Sequence, residues 1–328
     1  MNFSIGKFMK KSTDMQEIIY NFAQFNLEVS MYYVFVINGR PDKAFIEDEV
    51  KSQLKDVNIK YELYKTLSEG DATRFVKIYC DFHQEDEICF VACGGTGTFS
   101  EVVNGVIGYK NKRVALLAYG SGNNFILNYP DRNFRSVKDM INGEAVQSDV
   151  IKCNNDYSIN VINLGFDSMA AFFGARYILE GKDKPYLRGT ARSVIFNRFN
   201  HYRIIVDGEK MSRGTTMFCT IANASYYGQN YKCAPYAKID DGHMDVEVNR
   251  STTLLTFVLM YRHFKDGHHV ENAFCRRRMK FKNARHVEIS SKSLIYLCVD
   301  GELVASRHFD INLIDKAVTL QLPAKKEN

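Results

Sequence analysis

Two glycine-rich segments contain residues whose types and spacing suit phosphate binding. The first, residues 91–105, reads VACGGTGTFSEVVNG and lies between a predicted buried strand and a predicted helix. Glycine lets a backbone turn sharply and approach a ligand, and a helix N-terminus offers free N–H groups and the positive end of its dipole to an anion. The spacing matches neither the Walker loop nor the dinucleotide fingerprint. The segment predicts a phosphate loop, and glycines that serve only to turn the chain before a helix cap are the alternative.

Thr98 and Glu101 add a second expectation to this segment. Thr98 stands where its hydroxyl could cap the helix, and Glu101 follows three residues later. This spacing is typical of a capping box, in which the two side chains satisfy N–H groups at the helix start.

The second glycine segment repeats the arrangement at residues 119–125, YGSGNNF, after the apolar run Val114–Leu117. Carboxyl ends of parallel strands meet at one edge of a sheet, and ligands bind there. Two glycine loops at one edge therefore predict a nucleotide cleft.

The elements that must position these loops alternate between strands and helices from residue 31 to about residue 148. The predicted strands are Met31–Ile37, Ile59–Tyr64, Glu87–Ala92 and Arg113–Leu117. The predicted helices between them are Ile46–Leu54, Asp71–Cys80 and Thr98–Ile107. This order predicts an α/β domain, with a doubly wound parallel sheet and helices on both faces.

From residue 149 to residue 328 short runs with a period of two dominate, which is typical of antiparallel strands. The predicted strands are Tyr157–Ile162, Tyr202–Val206, Thr215–Ile221, Met244–Val248, His286–Ile289 and Leu294–Val299, with helices near 168–179, 189–199 and 253–264. We expect a β-sandwich domain with inserted helices, whose last strands return to the first domain. Residues 1–30 lack a signal-peptide core and are interpreted as an amphipathic extension.

Length and composition agree with two soluble domains. The chain has 328 residues, of which 45% are hydrophobic and 25% charged, and no run reaches the roughly 18 apolar residues of a membrane span. Eight cysteines without a CxxC pair predict buried thiols in a reducing cytoplasm. The net charge of +5 is too small to indicate a nucleic-acid partner and suits contact with anionic surfaces.

Five ordered motifs resemble the diacylglycerol kinase catalytic family, which includes sphingosine and ceramide kinases. Residues 94–105 are similar to the family's GGDGT…E…NG, and residues 120–125 to its GTGNDF. The similarity continues in Asn163–Asp167, Ala234–Val246 and Asp300–Glu302. NAD kinases share the first motif, but the last two belong to the lipid-kinase branch. The resemblance implies transfer of the ATP γ-phosphate to a hydroxyl of a membrane lipid such as diacylglycerol, in a cleft between the two domains.

The resemblance also implies the roles of individual residues. Glu302 and Asp300 would be the catalytic pair of carboxylates near the acceptor hydroxyl, with Glu302 as the general base. The nucleotide-binding set would be Asn38, Thr66, Gly94, Gly95, Thr96, Gly97, Thr98, Glu101, Gly120, Ser121, Gly122 and Asn123. A hairpin turn with solvated acids is the alternative for Asp300–Glu302, and the identical Asp207–Glu209 is interpreted as such a turn.

The segment Lys238–His243 resembles the family's magnesium loop. Asp241 would offer its carboxylate to Mg²⁺, with the backbone carbonyls of Lys238 and His243 beside it, because a hard cation prefers oxygen ligands. A solvated acidic turn is the alternative.

The sequence departs from the family pattern at functional positions. Thr96 stands where the family has the Asp of GGDGT, Asn124 where it has the Asp of GTGND, and the early NPxSG loop is reduced to Asn38–Pro41. Threonine carries no charge to hold Mg²⁺. A binding protein of the same fold without turnover is therefore the alternative to a kinase.

A basic run at residues 276–282, RRRMKFK, is the remaining candidate for membrane contact. At strand spacing it would present a basic face to anionic head groups. An edge strand protected by its charges is the alternative.

Overall fold

The structure, a computed structural model, describes residues 31–120, 122–212, 214–228 and 230–326. The extension predicted at residues 1–30 and the predicted nucleotide contact Ser121 lie outside this part of the chain.

Four parallel strands form the first part of the fold, in the order β2-β1-β3-β4. The strands are β1 (Tyr32–Ile37), β2 (Lys60–Lys65), β3 (Ile88–Gly94) and β4 (Lys112–Ala118). The accompanying helices are α1 (Phe45–Leu54), α2 (Asp71–Phe82), α3 (Thr96–Val106) and α4 (Val137–Ile141). The predicted strand and helix order is confirmed.

Alternate side chains of β1 show why helices cover both faces of this sheet. Val34 and Val36 pack with α2 and α3 in one core, while Phe35 and Ile37 pack with α1 and α4 in another. Since neighbouring residues of a strand point to opposite faces, a strand buried on both sides must be apolar throughout. The doubly wound α/β architecture is confirmed.

The remaining strands are mostly antiparallel and form the β-sandwich part, with helices inserted between them. They are β5 (Glu144–Cys153), β6 (Asp156–Ser158), β7 (Val161–Gly165), β8 (Arg203–Val206), β9 (Glu209–Lys210), β10 (Thr216–Ala222), β11 (Tyr226–Tyr227), β12 (Tyr231–Lys232), β13 (Met244–Arg250), β14 (Met279–Ala284), β15 (His286–Val299) and β16 (Glu302–Leu322). The helices are α5 (Phe166–Leu179), α6 (Pro185–Phe196), α7 (Leu254–Lys265) and α8 (Ala273–Arg276). Their shared core includes Ile151, Ile162, Val246, Leu297 and Phe309.

The long strand β16 connects the two parts of the fold. Its first half is antiparallel to β15, and it is also antiparallel to β5. Near its end Thr319 and Leu320 pair in parallel with Arg113 and Val114 of β4. The sheet is therefore continuous from β14 to β2. The domain boundary between residues 148 and 149 stays a prediction.

The strand prediction was wrong in several details, and it omitted β5 and β16. The predicted strand Tyr157–Ile162 is divided between β6 and β7, whereas the two predicted strands within residues 286–299 are one strand, β15. The basic run 276–282 begins in α8 and ends in β14, which lies at an edge of the sheet. Among the described helices, none is both long and apolar enough to span a bilayer.

Candidate functional site

The two glycine loops meet backbone to backbone at the carboxyl ends of β3 and β4. The carbonyl oxygen of Gly94 accepts hydrogen bonds from the N–H groups of Tyr119 (2.9 Å) and Gly120 (3.2 Å). A Cβ atom at Gly120 would lie 2.5 Å from the Cα of Gly95. Glycine is therefore required at 120 for this close approach.

Thr96 fixes the second loop against the N-terminus of α3. Its Oγ1 donates a hydrogen bond of 2.6 Å to the carbonyl oxygen of Gly122. The side chain that replaces the family's Asp thus joins the two glycine loops.

The predicted capping box is wrong. Helix α3 begins at Thr96 after Gly95, and no side chain caps it. Thr98 lies inside the helix, and its Oγ1 accepts a hydrogen bond of 3.0 Å from Nδ2 of Asn38. The carboxylate of Glu101 instead accepts from the N–H of Ala72 (3.0 Å) at the start of α2.

The first N–H groups of α3 consequently have no side-chain acceptor from the helix cap. A helix leaves its first N–H groups without intrahelical partners and concentrates positive potential there. This arrangement is what an anionic phosphate binds.

The ends of β1 and β2 complete this edge of the sheet. The N–H of Gly39 donates to Oγ1 of Thr66 (3.0 Å), and the N–H of Thr66 donates to Ile37 (2.9 Å). Because Asn38 also bonds Thr98, the structure brings Asn38 and Thr66 to the glycine loops, as the strand order requires.

Asn123 leaves a buried acceptor beside these loops. Its Nδ2 donates to the carbonyl of Gly120 (3.1 Å), but its Oδ1 has no hydrogen-bond partner in the described part of the chain. A cavity of about 230 Å³ adjoins it and is lined by Gly120, Gly122, Asn123, Asn124, Ile126, Leu127 and Asn230. A buried acceptor without a partner is costly, so a donor group of a ligand is its natural complement.

A larger cavity of about 450 Å³ shares Leu127 with the first and lies between the two parts of the fold. Tyr129 and Arg132 contribute from the first part, and Lys232 and Lys238 from the second. The smaller cavity is lined by the second glycine loop, and the larger one reaches Lys238 and Asp240 of the Lys238–His243 loop.

Asp300 is buried and binds the segment that leads into β7. Its Oδ1 accepts from the hydroxyl of Ser158 (2.6 Å) and from the N–H groups of Asn160 and Val161, and its Oδ2 accepts from the N–H of Ile159 (2.9 Å). Burial raises the pKa of Asp300 above its ordinary value, although these hydrogen bonds act in the opposite direction. The carboxylate therefore orders the 158–161 segment.

We expect Asp300→Asn to lower the free energy of unfolding by about 1–3 kcal/mol, because an amide nitrogen would face donors in a buried site. Asp207→Asn is the matched control. Asp207 occupies the same tripeptide and is exposed, and it accepts from the N–H groups of Arg285 and His286. Urea unfolding of both variants measures the difference, and equal losses would contradict this role.

Glu302 follows Asp300 and Gly301, and the residue as a whole is exposed. Partial loss of hydration, followed by the charges of Glu101, Glu69 and Asp156, raises the pKa of Glu302 to about 7. Among the neighbouring charges, that of Glu101 in α3 has the largest effect on this pKa. A carboxyl with such a pKa can accept a proton near neutral pH.

Glu209 of the second Asp-Gly-Glu tripeptide has different surroundings. Its carboxylate forms an ion pair with Nζ of Lys282 (3.1 Å) at the sheet edge. Glu302 has carboxylates as its electrostatic neighbours, whereas Glu209 has an ammonium group.

The Lys238–His243 loop is held by the carboxylate of Asp149. The carboxylate of Asp149 accepts from the N–H groups of Gly242 and Lys316 (both 2.8 Å). Asp241 is exposed, and its Oδ1 accepts from the N–H of His243 (3.1 Å). Over the described residues, no group of three His, Cys, Asp or Glu side chains could hold a metal ion. The donors of this loop, one carboxylate and two carbonyls, are all oxygen and fit Mg²⁺, which keeps several waters.

Sequence analysis missed Glu69 and Asp156, whose charges act on Glu302. Glu69 lies between β2 and α2, at the same sheet edge as the glycine loops, so its position after a strand was the available signal. Asp156 begins β6 and carries no such signal.

The chain combines a doubly wound sheet, which carries both glycine loops at one edge, with a β-sandwich that carries the acidic turn Asp300–Glu302. A family model described as "Diacylglycerol kinase catalytic domain" matches residues 33–153, and one described as "YegS C-terminal NAD kinase beta sandwich-like domain" matches residues 160–321. The chain belongs to the diacylglycerol kinase catalytic-domain family, a family of lipid kinases.

Similar proteins carry this description over most of their length. A diacylglycerol kinase of Staphylococcus carnosus is 26% identical over 77% of this chain and 82% of its own. A diacylglycerol kinase of Staphylococcus aureus is 25% identical over 81% of this chain and 88% of its own. Two crystal structures of Bacillus anthracis proteins superpose with TM-scores of 0.70 and 0.63 at 19% and 17% identity, each covering 89% of this chain and 97% of its own. The latter similarity shows the shared fold.

Proposed function

We propose that this protein is an ATP-dependent lipid kinase that transfers the γ-phosphate to a hydroxyl of a membrane lipid such as diacylglycerol. The observation that carries the proposal is the convergence of two glycine loops at the N-terminus of α3, with the titratable carboxyl of Glu302 near the same helix. A phosphate site and a proton acceptor are the two groups that this reaction requires.

The nucleotide is assigned to the edge formed by β1, β2, β3 and β4. The N–H groups at residues 95–98 and the loop 120–123 would bind the phosphates, and Oδ1 of Asn123 would accept a hydrogen bond from the nucleotide. Asn38 and Thr66 hold the neighbouring loops in place. Glu101 acts on the start of α2, so we assign it a positioning role and not a contact with nucleotide.

Glu302 is assigned as the general base. In the reaction the lipid hydroxyl oxygen forms a bond to the γ-phosphorus, the bond from that phosphorus to the bridging oxygen of ADP breaks, and the hydroxyl proton passes to Glu302. We propose that Asp300 is a positioning residue and not a second base, because all of its hydrogen bonds order residues 158–161.

Mg²⁺ supplies charge neutralisation to the phosphates in reactions of this class. A second, structural site is proposed at the 238–243 loop, where the Asp241 carboxylate and the carbonyls of Lys238 and His243 would hold the ion. Thr96 leaves the phosphate site without the carboxylate that the family has there.

A binding protein without turnover is the second candidate, and the Thr96 contact favours it. The hydroxyl of Thr96 is engaged by Gly122, so the residue at this position links two loops and carries no charge. Incorporation of phosphate from ATP into vesicles with diacylglycerol, a sphingoid base or undecaprenol separates the candidates. Product with any of these lipids supports the kinase, whereas ATP binding without product supports the second candidate.

We expect Thr96→Asp to raise lipid phosphorylation by about tenfold or more, because one electrostatic contributor is worth on the order of 10²–10³ in rate. Thr96→Ala is the control, since it also removes the bond to Gly122 but adds no charge. Initial rates at saturating Mg-ATP decide the matter. With Asn124→Asp added, the double variant should exceed both single variants. A wild-type rate as high as that of Thr96→Asp would show that Thr96 is no defect.

A further inference from the structure

Helices α6 and α7 leave large apolar side chains in solvent. The exposed fraction is 73% for Phe196, 71% for Leu255 and 65% for Leu187. We call the following set the outer apolar face: Leu187, Ile195, Phe196, Phe199, Leu255 and Leu259. Monomeric proteins rarely leave such contiguous apolar surface uncovered unless it binds something.

Both helices bury their other faces in the same cluster. Val194 of α6 and Phe257 of α7 pack around Phe166, whose ring lies 5.2 Å from that of Phe257. The hydroxyl of Ser251, just before α7, donates to the carbonyl of Arg198, just after α6 (2.5 Å). The end of α6 is thus fixed beside the start of α7.

Helical spacing accounts for the segregation of side chains. Leu187 and Ile195 lie two i,i+4 steps apart on α6, and Leu255 and Leu259 lie one step apart on α7. Residues at this spacing share one side of a helix. The inner faces carry Val194 on α6 and Phe257 on α7, so the outward rows are not core positions.

The charged side chains within the two segments that carry this face are of one sign. Residues 184–206 contain four arginines and no Asp or Glu, and residues 248–265 contain two arginines and one lysine and again no Asp or Glu. The guanidinium of Arg192 lies 5.7 Å from the Phe196 ring, and that of Arg198 lies 4.8 Å from the Phe199 ring. Arginine and exposed apolar groups are therefore interleaved.

We infer that the outer apolar face docks on an anionic lipid bilayer, with its apolar side chains at the acyl boundary and its arginines among the head groups. Apolar residues beside Lys and Arg are the pattern of interfacial helices, and each basic group near an anionic surface contributes about 1 kcal/mol. A symmetric contact with a second copy would place these arginines against each other. The inference rests on the proposed function, because it names the membrane that would supply the lipid.

The outer apolar face is mechanically connected to the candidate site. Val161, the first residue of β7, accepts a hydrogen bond at its carbonyl oxygen from the N–H of Asp300 and donates one from its own N–H to the Asp300 carboxylate. From β7 the chain enters α5, and α6 packs on α5 so closely that a Cβ atom at Gly189 would lie 2.6 Å from the carbonyl oxygen of Ala170. Docking of α6 would therefore hold the turn that carries Glu302 at a fixed place relative to the bilayer.

A single introduced tryptophan tests this inference, because the chain contains none. Phe196→Trp places the probe on the outer apolar face, and Phe82→Trp is the matched control, since Phe82 is 81% exposed at the end of α2. With vesicles of phosphatidylcholine and phosphatidylglycerol we expect a blue shift and quenching by brominated acyl chains at position 196 only. Quenching at both positions, or at neither, would overturn the inference.

The double variant Phe196→Glu with Leu255→Glu should bind the same vesicles at least about tenfold more weakly, a loss of 1.4 kcal/mol. Phe82→Glu should bind as wild type does. If light scattering shows a dimer that only the double variant dissociates, the face belongs to a second copy and the inference fails. The inference would also be refuted if wild type captures a protein partner while both the double variant and Phe82→Glu still bind vesicles as wild type does.

Vesicle binding and catalysis are measured separately, so the inference and the proposed function can fail independently. With a short-chain, water-soluble diacylglycerol, the double variant should retain the wild-type rate, whereas its rate on vesicles should fall with its binding. Vesicle binding through position 196 without any kinase activity would refute the proposed function alone. If the double variant keeps the full wild-type kinase activity on vesicles, the docking face alone is refuted.

Discussion

Glu302→Gln should reduce kcat for lipid phosphorylation by about 10³, since a positioned general base contributes 10²–10⁴. The substitution keeps the shape of the side chain and removes its ability to accept a proton. Glu209→Gln is a matched control from an identical tripeptide, because Glu209 pairs with Lys282 at the sheet edge. Initial rates of both variants, with nucleotide affinity measured in parallel, make the comparison.

The pH dependence provides an independent readout of the same residue. Partial loss of hydration and neighbouring carboxylates raise the pKa of Glu302 to about 7, so the base is protonated and inactive at lower pH. The rate should therefore rise with pH up to about 7 and then level off. Glu69→Gln removes one of the negative charges that raise this pKa and should move the profile to lower pH. Glu302 would not be the base if the pH profile of Glu69→Gln is the same as that of wild type. Equal rates for Glu302→Gln and Glu209→Gln would lead to the same conclusion.

The strand and helix order of the first part could be predicted because each element is long enough to show its period. Strand β3 is apolar throughout and β1 nearly so, and both end in short turns, which is the pattern of a sheet covered on both faces. The rule that ligands bind at the carboxyl ends of such strands was then sufficient to bring Asn38, Thr66 and both glycine loops to one edge.

Long-range partners could not be predicted from local sequence. Glu101 has the spacing of a capping box within α3, yet its carboxylate binds the start of α2, because tertiary packing offered N–H groups that local spacing does not reveal. Asp300 and Asp207 belong to identical tripeptides, but only Asp300 is buried against residues 158–161. The identity of the partner, and not the residue type, determines the role.

The strand β16 was missed for a different reason. Its alternation is interrupted where the pairing with β5 shifts between Ile314 and Val318, and Lys316 there has a φ of 48°. A β-bulge inserts extra residues and reverses which side chains face the core. A period-two pattern is therefore lost within a single continuous strand.

The glycines of the two loops differ in what requires them, and this difference predicts two distinct results. A Cβ atom at Gly120 would meet the Cα of Gly95 at 2.5 Å, whereas one at Gly97 would have nothing within 4 Å. Neither Gly95 nor Gly97 has a positive φ. No atom of the described protein therefore excludes a side chain at Gly97, and only a bound ligand could do so.

We expect Gly97→Ala to fold at least as well as wild type, because alanine within a helix is favoured over glycine by about 0.5–1 kcal/mol. Its ATP affinity should nevertheless fall at least about tenfold, since the new methyl group would occupy space beside the N–H groups of α3 that a phosphate needs. Gly120→Ala should instead lose both stability and ATP affinity, because the two loops must separate. Thermal unfolding and ATP titration of the two variants distinguish these effects. Unchanged ATP affinity in a folded Gly97→Ala protein would mean that the N-terminus of α3 binds no phosphate, and the nucleotide would then have to bind elsewhere along the sheet edge.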